Sequence, residues 1–133
     1  MRELEDLHGF HVQTEHVLHA GMYARTVRLP AGVIIVGVLY KVPTMVIVHG
    51  ACWVFAGEKW YRIEDYQVIP ASAGRKQIFV TEQPTEITMV FRTKAKTVAE
   101  AEDAMTDEAD KLINRRQDDG DIITITGVEA CQE

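Results

Sequence analysis

The run MYARTVRL, residues 22 to 29, decides the reading of the chain together with the short apolar runs that follow it: VIIVGVLY (33 to 40), MVIV (45 to 48), ACWVFA (51 to 56), KWYRI (59 to 63), YQVI (66 to 69), KQIFV (76 to 80) and TEITMVFRT (85 to 93). Turn residues separate them at Pro30-Ala31-Gly32, His49-Gly50, Gly57-Glu58, Ser72-Ala73-Gly74 and Gln83-Pro84. Short apolar runs at such spacing predict an all-β sandwich or barrel. Within the first run Tyr23, Arg25, Val27 and Leu29 share one face and form the more apolar set, which predicts that this face is buried.

The chain has 133 residues, 47% of them hydrophobic, enough for one domain with a sizeable core. Charge is unevenly placed. Residues 1 to 96 hold eleven Lys/Arg against nine Asp/Glu, whereas 97 to 133 hold three against eleven. Without clustered Lys/Arg there is no general reason to expect nucleic-acid binding. Cys52 and Cys131 form neither a disulfide framework nor a metal-knuckle spacing, and read as idle thiols of a reducing compartment. No apolar run approaches the length that spans a bilayer, and the charged start (Arg2, Glu3, Glu5, Asp6) is no signal peptide, so a soluble protein is expected.

Residues 1 to 21 contain His8, His11, His16 and His19 and read as an N-terminal arm with incidental histidines. On a helix the pairs 8/11 and 16/19 would be neighbours able to share a metal, but Gly9, Val12 and Val17 weaken a helix. The barrel is placed at 22 to 96. A helix is expected from 97 to 116, opened by a capping box of Thr97 and Glu100. Its stripe of Val98, Ala101, Met105, Ala109 and Leu112 suits packing on its own sheet, or packing between subunits. Gln117-Asp118-Asp119-Gly120-Asp121 then ends the helix, and residues 117 to 133 read as an acidic linker plus a strand carrying Ile122, Ile123 and Ile125. So late a strand can join its own sheet or a neighbour's edge. The eight apolar residues of helix and strand are therefore the candidate protein–protein interface.

The order Tyr23-Ala24-Arg25, Pro30-Ala31-Gly32, Val36-Gly37-Val38-Leu39-Tyr40-Lys41, Ile47-Val48-His49-Gly50, Pro70-Ala71-Ser72-Ala73-Gly74-Arg75-Lys76 and Ile87-Thr88-Met89-Val90 resembles a small cupin. It resembles more narrowly the single-domain cupin-like proteins of tailed bacteriophages and prophages, over about residues 14 to 112. The resemblance implies a jelly-roll barrel, here followed by one helix and a terminal strand. Cupin enzymes hold a transition metal through two His and a Glu on one strand pair and a later His. This chain has Tyr40 where the first His is expected, Pro43-Thr44-Met45 near the second and Arg75-Lys76-Gln77 near the last. Tyr40 and Glu82 could coordinate or do acid–base work, yet a phenol with no evident carboxylate partner reads as a packed rim residue. No G-x-S-x-G, glycine-rich phosphate loop or Cys-His-Asn set is present.

Trp53, Phe55, Trp60, Tyr61 and Tyr66 gather across the Gly57-Glu58 turn, and one alternating set of them is expected to fill the core, with a ligand or partner platform as the other reading. His49 reads as structural. The expected function is a non-enzymatic structural or interaction protein without a metal or other cofactor. The phage resemblance implies a virion component, such as a capsid decoration, neck or tail-associated subunit assembled in the host cytoplasm, with itself and other virion proteins as partners and no membrane. The alternatives are a small-molecule or sugar-binding cupin and a metal-dependent cupin enzyme.

Overall fold

The computed structural model describes the backbone of Arg2–Glu3 and residues 12–56, 58–112 and 121–127. Among these the order is β1 (Arg2–Glu3), β2 (Thr14–His19), β3 (Met22–Leu29), β4 (Val33–Val36), β5 (Thr44–His49), β6 (Cys52–Ala56), β7 (Lys59–Ile63), β8 (Tyr66–Ala71), β9 (Gln77–Thr81), β10 (Thr85–Arg92), α1 (Val98–Met105) and β11 (Ile122–Thr126). The strands form two sheets, β1-β4-β9-β6-β7 and β11-β2-β3-β10-β5-β8. All internal pairings are antiparallel, and only the outer pairs β1/β4 and β11/β2 are parallel. This is an all-β jelly-roll barrel with a helix after it.

Alternation fixes which face of each strand is buried. On β3 the inward set is Tyr23, Arg25, Val27 and Leu29, as expected, and β10 opposes it with Ile87, Met89 and Phe91. Val46 and Val48 of β5, Cys52 and Val54 of β6 and Phe79 of β9 complete the core from both sheets. The turn at Gly50 requires glycine. Its φ is +145°, and a Cβ there would lie 2.6 Å from Thr85 Oγ1 and 2.8 Å from the Pro84 carbonyl oxygen.

Three boundaries differ from expectation. Thr14–His19 is a barrel strand with Thr14, His16 and Leu18 buried, so the expected arm is shorter than 1 to 21. VIIVGVLY is a strand only to Val36, after which Tyr40 makes a single bridge to Arg75. The helix starts where the capping box places it, with the Glu100 N–H donating to Thr97 Oγ1 at 3.2 Å. The Glu100 carboxylate reaches one residue further back than a capping box, accepting from the Lys96 N–H at 2.8 Å. It stops at Met105 instead of running to 116. Thr106 turns extended and donates its hydroxyl to the Leu39 carbonyl at 2.6 Å, so a bond to the barrel replaces the next helical turn. A 3₁₀ turn, Ala109–Lys111, follows. Arg115, Arg116 and residues 117 to 120 of the expected helix end and linker lie outside the described residues, as do His8, His11 and Cys131.

Candidate functional site

Four of the polar side chains inside the barrel, those of His16, Tyr23, Arg25 and Glu102, line up in one chain of contacts. Arg25, on the inward face of β3, points its guanidinium at Glu102 of α1 with Nη1 3.0 Å from Oε2, and the two side chains are 6% and 2% exposed. The Arg25 charge also acts on the Tyr23 hydroxyl. That hydroxyl lies 2.7 Å from His16 Nδ1, and His16 Nε2 lies 3.1 Å from Asp121 Oδ2, just before β11. The network assigns the imidazole tautomer: Tyr23 donates to Nδ1, and Nε2–H donates to the Asp121 carboxylate. The Tyr23 ring stacks beside His16 and meets Phe91 edge-on, which fixes both rings.

Burial sets the protonation of this chain. His16 is held below its ordinary value, first by desolvation and then by the Arg25 charge, against the opposing pull of Asp121 and Glu102. Tyr23 is pushed up to about 12 by burial, so its phenol is a hydrogen-bond donor and not a base. Each partner is occupied by the next, which makes the arrangement a clasp that joins helix, barrel and terminal strand.

The helix covers the clasp. The Lys41 N–H donates to the Met105 carbonyl at 2.7 Å, the Leu39 N–H donates to Glu108 Oε1 at 3.0 Å, and Lys41 Nζ pairs with Asp107 at 2.8 Å. The Leu39 bond, with help from Lys76 and Lys111, holds the Glu108 carboxyl below its ordinary value. Val98, Ala101, Met105, Ala109 and Leu112 are all buried in this one chain. Of the two placements open to the stripe, burial supports packing on its own barrel, which removes these five side chains from the candidate interface. Ile122, Ile123 and Ile125 remain exposed at 42%, 52% and 44%, and β11 pairs along one edge with β2 of its own chain.

The positions where the resemblance implied metal ligands do not converge on a donor set. Tyr40 is half-buried, and burial pushes its phenol up. Thr44 faces inward while Met45 faces solvent, and Glu82 lies on the surface with Oε1 2.7 Å from Arg62 and Oε2 3.1 Å from Trp53 Nε1. Among the described residues no three His, Cys, Asp or Glu side chains come close enough to share a metal. Cys52 is buried, its thiol pushed up to about 11 by desolvation. His49 is exposed at the β5 turn beside Tyr66.

None of the aromatic residues expected in the core is buried, and only Tyr61, opposite Val54, shares the inner pleat. Cys52 and Val54 take the inner pleat of β6, which turns Trp53 and Phe55 to the outer surface, and the register sets Trp53 opposite Arg62 and Phe55 opposite Trp60. The Arg62 guanidinium lies over the Trp53 ring at 5.6 Å, and Phe55 and Trp60 touch with ring centroids 5.1 Å apart. Tyr61 and Tyr66 are 52% and 60% exposed. Sequence reasoning missed His16, Arg25 and Glu102 as a set, because two of them lie in a strand and a helix 77 positions apart.

No family model matches this chain, and no curated protein does. Solved structures do. A cupin superfamily protein from Desulfitobacterium hafniense aligns at TM-score 0.54 and 9% identity, over 67% of this chain and 84% of that one. A cupin from Methanocaldococcus jannaschii, described as RmlC-like with a double-stranded β-helix fold, aligns at 0.52 and 12%, over 68% and 92%. Ectoine synthase from P. lautus aligns at 0.53 and 18%, over 68% and 69%. At these identities the likeness concerns architecture alone, and on that level the barrel described above has the cupin-like jelly-roll fold.

Proposed function

We propose that this protein is a non-enzymatic structural or interaction protein that uses its cupin-like barrel as a rigid, metal-free scaffold. The observation that supports it is the clasp: His16, Tyr23, Arg25 and Glu102 are engaged along one line of contacts, with Arg25 and Glu102 almost fully buried. A catalytic site needs polar groups left open towards a substrate, and these are closed. The phage resemblance extends the proposal to a tailed-bacteriophage virion component, such as a capsid decoration, neck or tail-associated subunit, with itself and other virion proteins as partners. Metal analysis of the purified protein tests the first part, with no stoichiometric Fe, Mn, Ni or Zn expected and one tightly bound ion per chain overturning it. Mass spectrometry of purified phage particles tests the second, which fails if the protein is absent from them.

One feature favours a second reading, a small-molecule-binding cupin. A groove of about 820 Å³ runs along the barrel end between Met22, Val42, Thr44, Met45, Phe91 and Arg92. A thermal-shift screen of sugars and small anions separates the readings, since the scaffold reading expects no hit that the substitution Met45→Asp abolishes.

A further inference from the structure

The positive charges of the described residues fall into two groups. Arg25, Arg28, Lys41, Arg62, Lys76 and Lys111 each pair with a carboxylate. Lys59, Arg75, Arg92, Lys94 and Lys96 pair with none among the described residues. Three of these unpaired cations follow one another where β10 runs out towards α1, in the stretch Arg92-Thr93-Lys94-Ala95-Lys96. Arg92, Lys94 and Lys96 are exposed there, while Thr93 and Ala95 between them are half-buried. Such alternation sets the three side chains on one side of the chain, at intervals of up to about 7 Å. The backbone beneath them is held, since the Thr93 N–H donates to the Gly21 carbonyl at 2.9 Å and Thr93 Oγ1 accepts from the Ala95 N–H at 3.1 Å.

The three cations line a trough across this end of the barrel. Arg92 and Lys94 stand in the groove of about 820 Å³ described above, and Lys94 and Lys96 in an adjoining depression of about 460 Å³. The two recesses share Gly21, Thr93 and Lys94, and no Asp or Glu among the described residues lines either. Glu100, the nearest acid along the chain, is turned back on the Lys96 N–H at 2.8 Å. In a chain of formal net charge −6, unpaired cations in a recess without an acid make a local field opposite in sign to that of the whole. Apolar side chains share the trough, with Met22 and Met45 at 44% and 52% exposed.

Charge and arrangement select the occupant. A lone phosphate or carboxylate is held by donors that converge on it, whereas these cations stand in file and match a linear polyanion. Single-stranded nucleic acid also needs aromatic faces on which its bases stack. Of the rings here, Phe91 is 6% exposed and His19 is engaged by Thr126 Oγ1 at 2.9 Å. A long phosphate chain would, moreover, leave the trough over an acidic protein. A polypeptide in extended form presents every second side chain on one side, about 7 Å apart. Acidic residues at that spacing lie along Arg92, Lys94 and Lys96, and apolar residues of the same segment meet Met22 and Met45.

We propose that this trough binds an extended acidic segment of a partner protein, whose carboxylates pair with Arg92, Lys94 and Lys96. The proposal rests on the reading of the chain as an interaction protein and gives the chemistry of one partner. The test is fluorescence anisotropy of the full chain with a labelled peptide of alternating Glu and Val, about eight residues long. Saturable binding is expected, and it should weaken as salt rises because exposed ion pairs are screened. Lys94→Glu, in the part common to both recesses, should weaken binding about tenfold, and the triple variant with Arg92→Glu and Lys96→Glu by on the order of a hundredfold. Lys59→Glu makes the same change of charge away from the trough and should leave the affinity as it was. A peptide of the same composition with its Glu residues grouped at one end should bind several-fold more weakly, because only every second carboxylate faces the cations. No binding of the alternating peptide overturns the proposal, as does equal weakening by Lys59→Glu or equal binding of the grouped peptide. Oligothymidylate or anionic phospholipid vesicles held as tightly, with the same dependence on Lys94, overturn it too. If the variants fail to fold, the wild type decides: binding that persists at high salt, or that accepts a peptide of alternating Lys and Val, counts against the trough. None of these outcomes bears on metal content, by which the scaffold reading stands or falls.

Discussion

Replacing Glu102 by Gln should cost the protein a large part of its stability. The carboxylate is 2% exposed and 3.0 Å from an Arg25 nitrogen that is itself buried, so the substitution leaves a guanidinium without its counter-charge in the barrel end. Removing one partner of such a pair costs about 3–5 kcal/mol, with Gln at the lower end because its amide oxygen still accepts a hydrogen bond. At about 4 °C per kcal/mol for a domain of this size, the midpoint should fall by about 12–20 °C. The double replacement Arg25→Met with Glu102→Leu removes both charges and should recover most of the loss. The assay is urea unfolding followed by circular dichroism on the wild type, both single variants and the double, read as a double-mutant cycle. A Glu102→Gln cost below about 1 kcal/mol would refute the reasoning. It would mean that the pair is solvated and the barrel end open.

His16 has its folded value depressed below the ordinary 6.5, so the unfolded chain takes up a proton that the folded chain refuses. Its contribution is therefore fully present above about pH 6.5 and is lost as pH falls towards the folded value, by at most about 1.4 kcal/mol per pH unit; the slope should flatten in His16→Gln, and an unchanged slope would count against the depression. Deleting 118–133 should leave a cooperatively folding barrel, because every residue of β11 is exposed, with a modest drop in midpoint from the lost His16–Asp121 bond. Failure of the truncated chain to fold would show that β11 belongs to the core. Cys52 should resist thiol reagents in the native state and react only on global unfolding, as mass spectrometry of its peptide would reveal. Thr97→Ala should cost about 1 kcal/mol by removing the cap of α1, and no change in the urea midpoint would show that the helix is held by packing alone.

What could be seen in the sequence was whatever depends on neighbours along the chain. The buried set of β3 was legible because its alternation is lopsided in hydrophobicity, and the helix start was legible because Thr97 and Glu100 are three residues apart. The helix end was not, since Thr106 is drawn off by the Leu39 carbonyl 67 positions away. β2 was hidden by its own polarity. Thr14, His16 and Leu18 alternate with Glu15, Val17 and His19, so neither face looks like a core, and only Tyr23 and Asp121 make the inward burial of His16 tolerable. The clasp could not be read at all, because its members come from β2, β3, α1 and the start of β11.

The misplaced aromatics carry a different lesson. In ACWVFA both alternating sets are apolar, Cys52 and Val54 against Trp53 and Phe55, and the same is true of VIIV in β4 and QIFV in β9 apart from Gln77. Near-continuous apolar runs of this kind are the signature of strands covered on both faces. One chain covers a single face of these three strands, through Val33, Val54 and Phe79. β10, by contrast, alternates strictly, with Thr85, Ile87, Met89 and Phe91 buried and Glu86, Thr88 and Arg92 among those turned out. β5 of the six-stranded sheet, TMVIVH, has the same two apolar sets, Val46 and Val48 against Met45 and Ile47, so such runs are not confined to one sheet. Hydrophobicity alone left the choice between Trp53 and Val54 unresolved, because both sets are apolar and only the pairing of β6 with β9 and β7 turns Val54 inward.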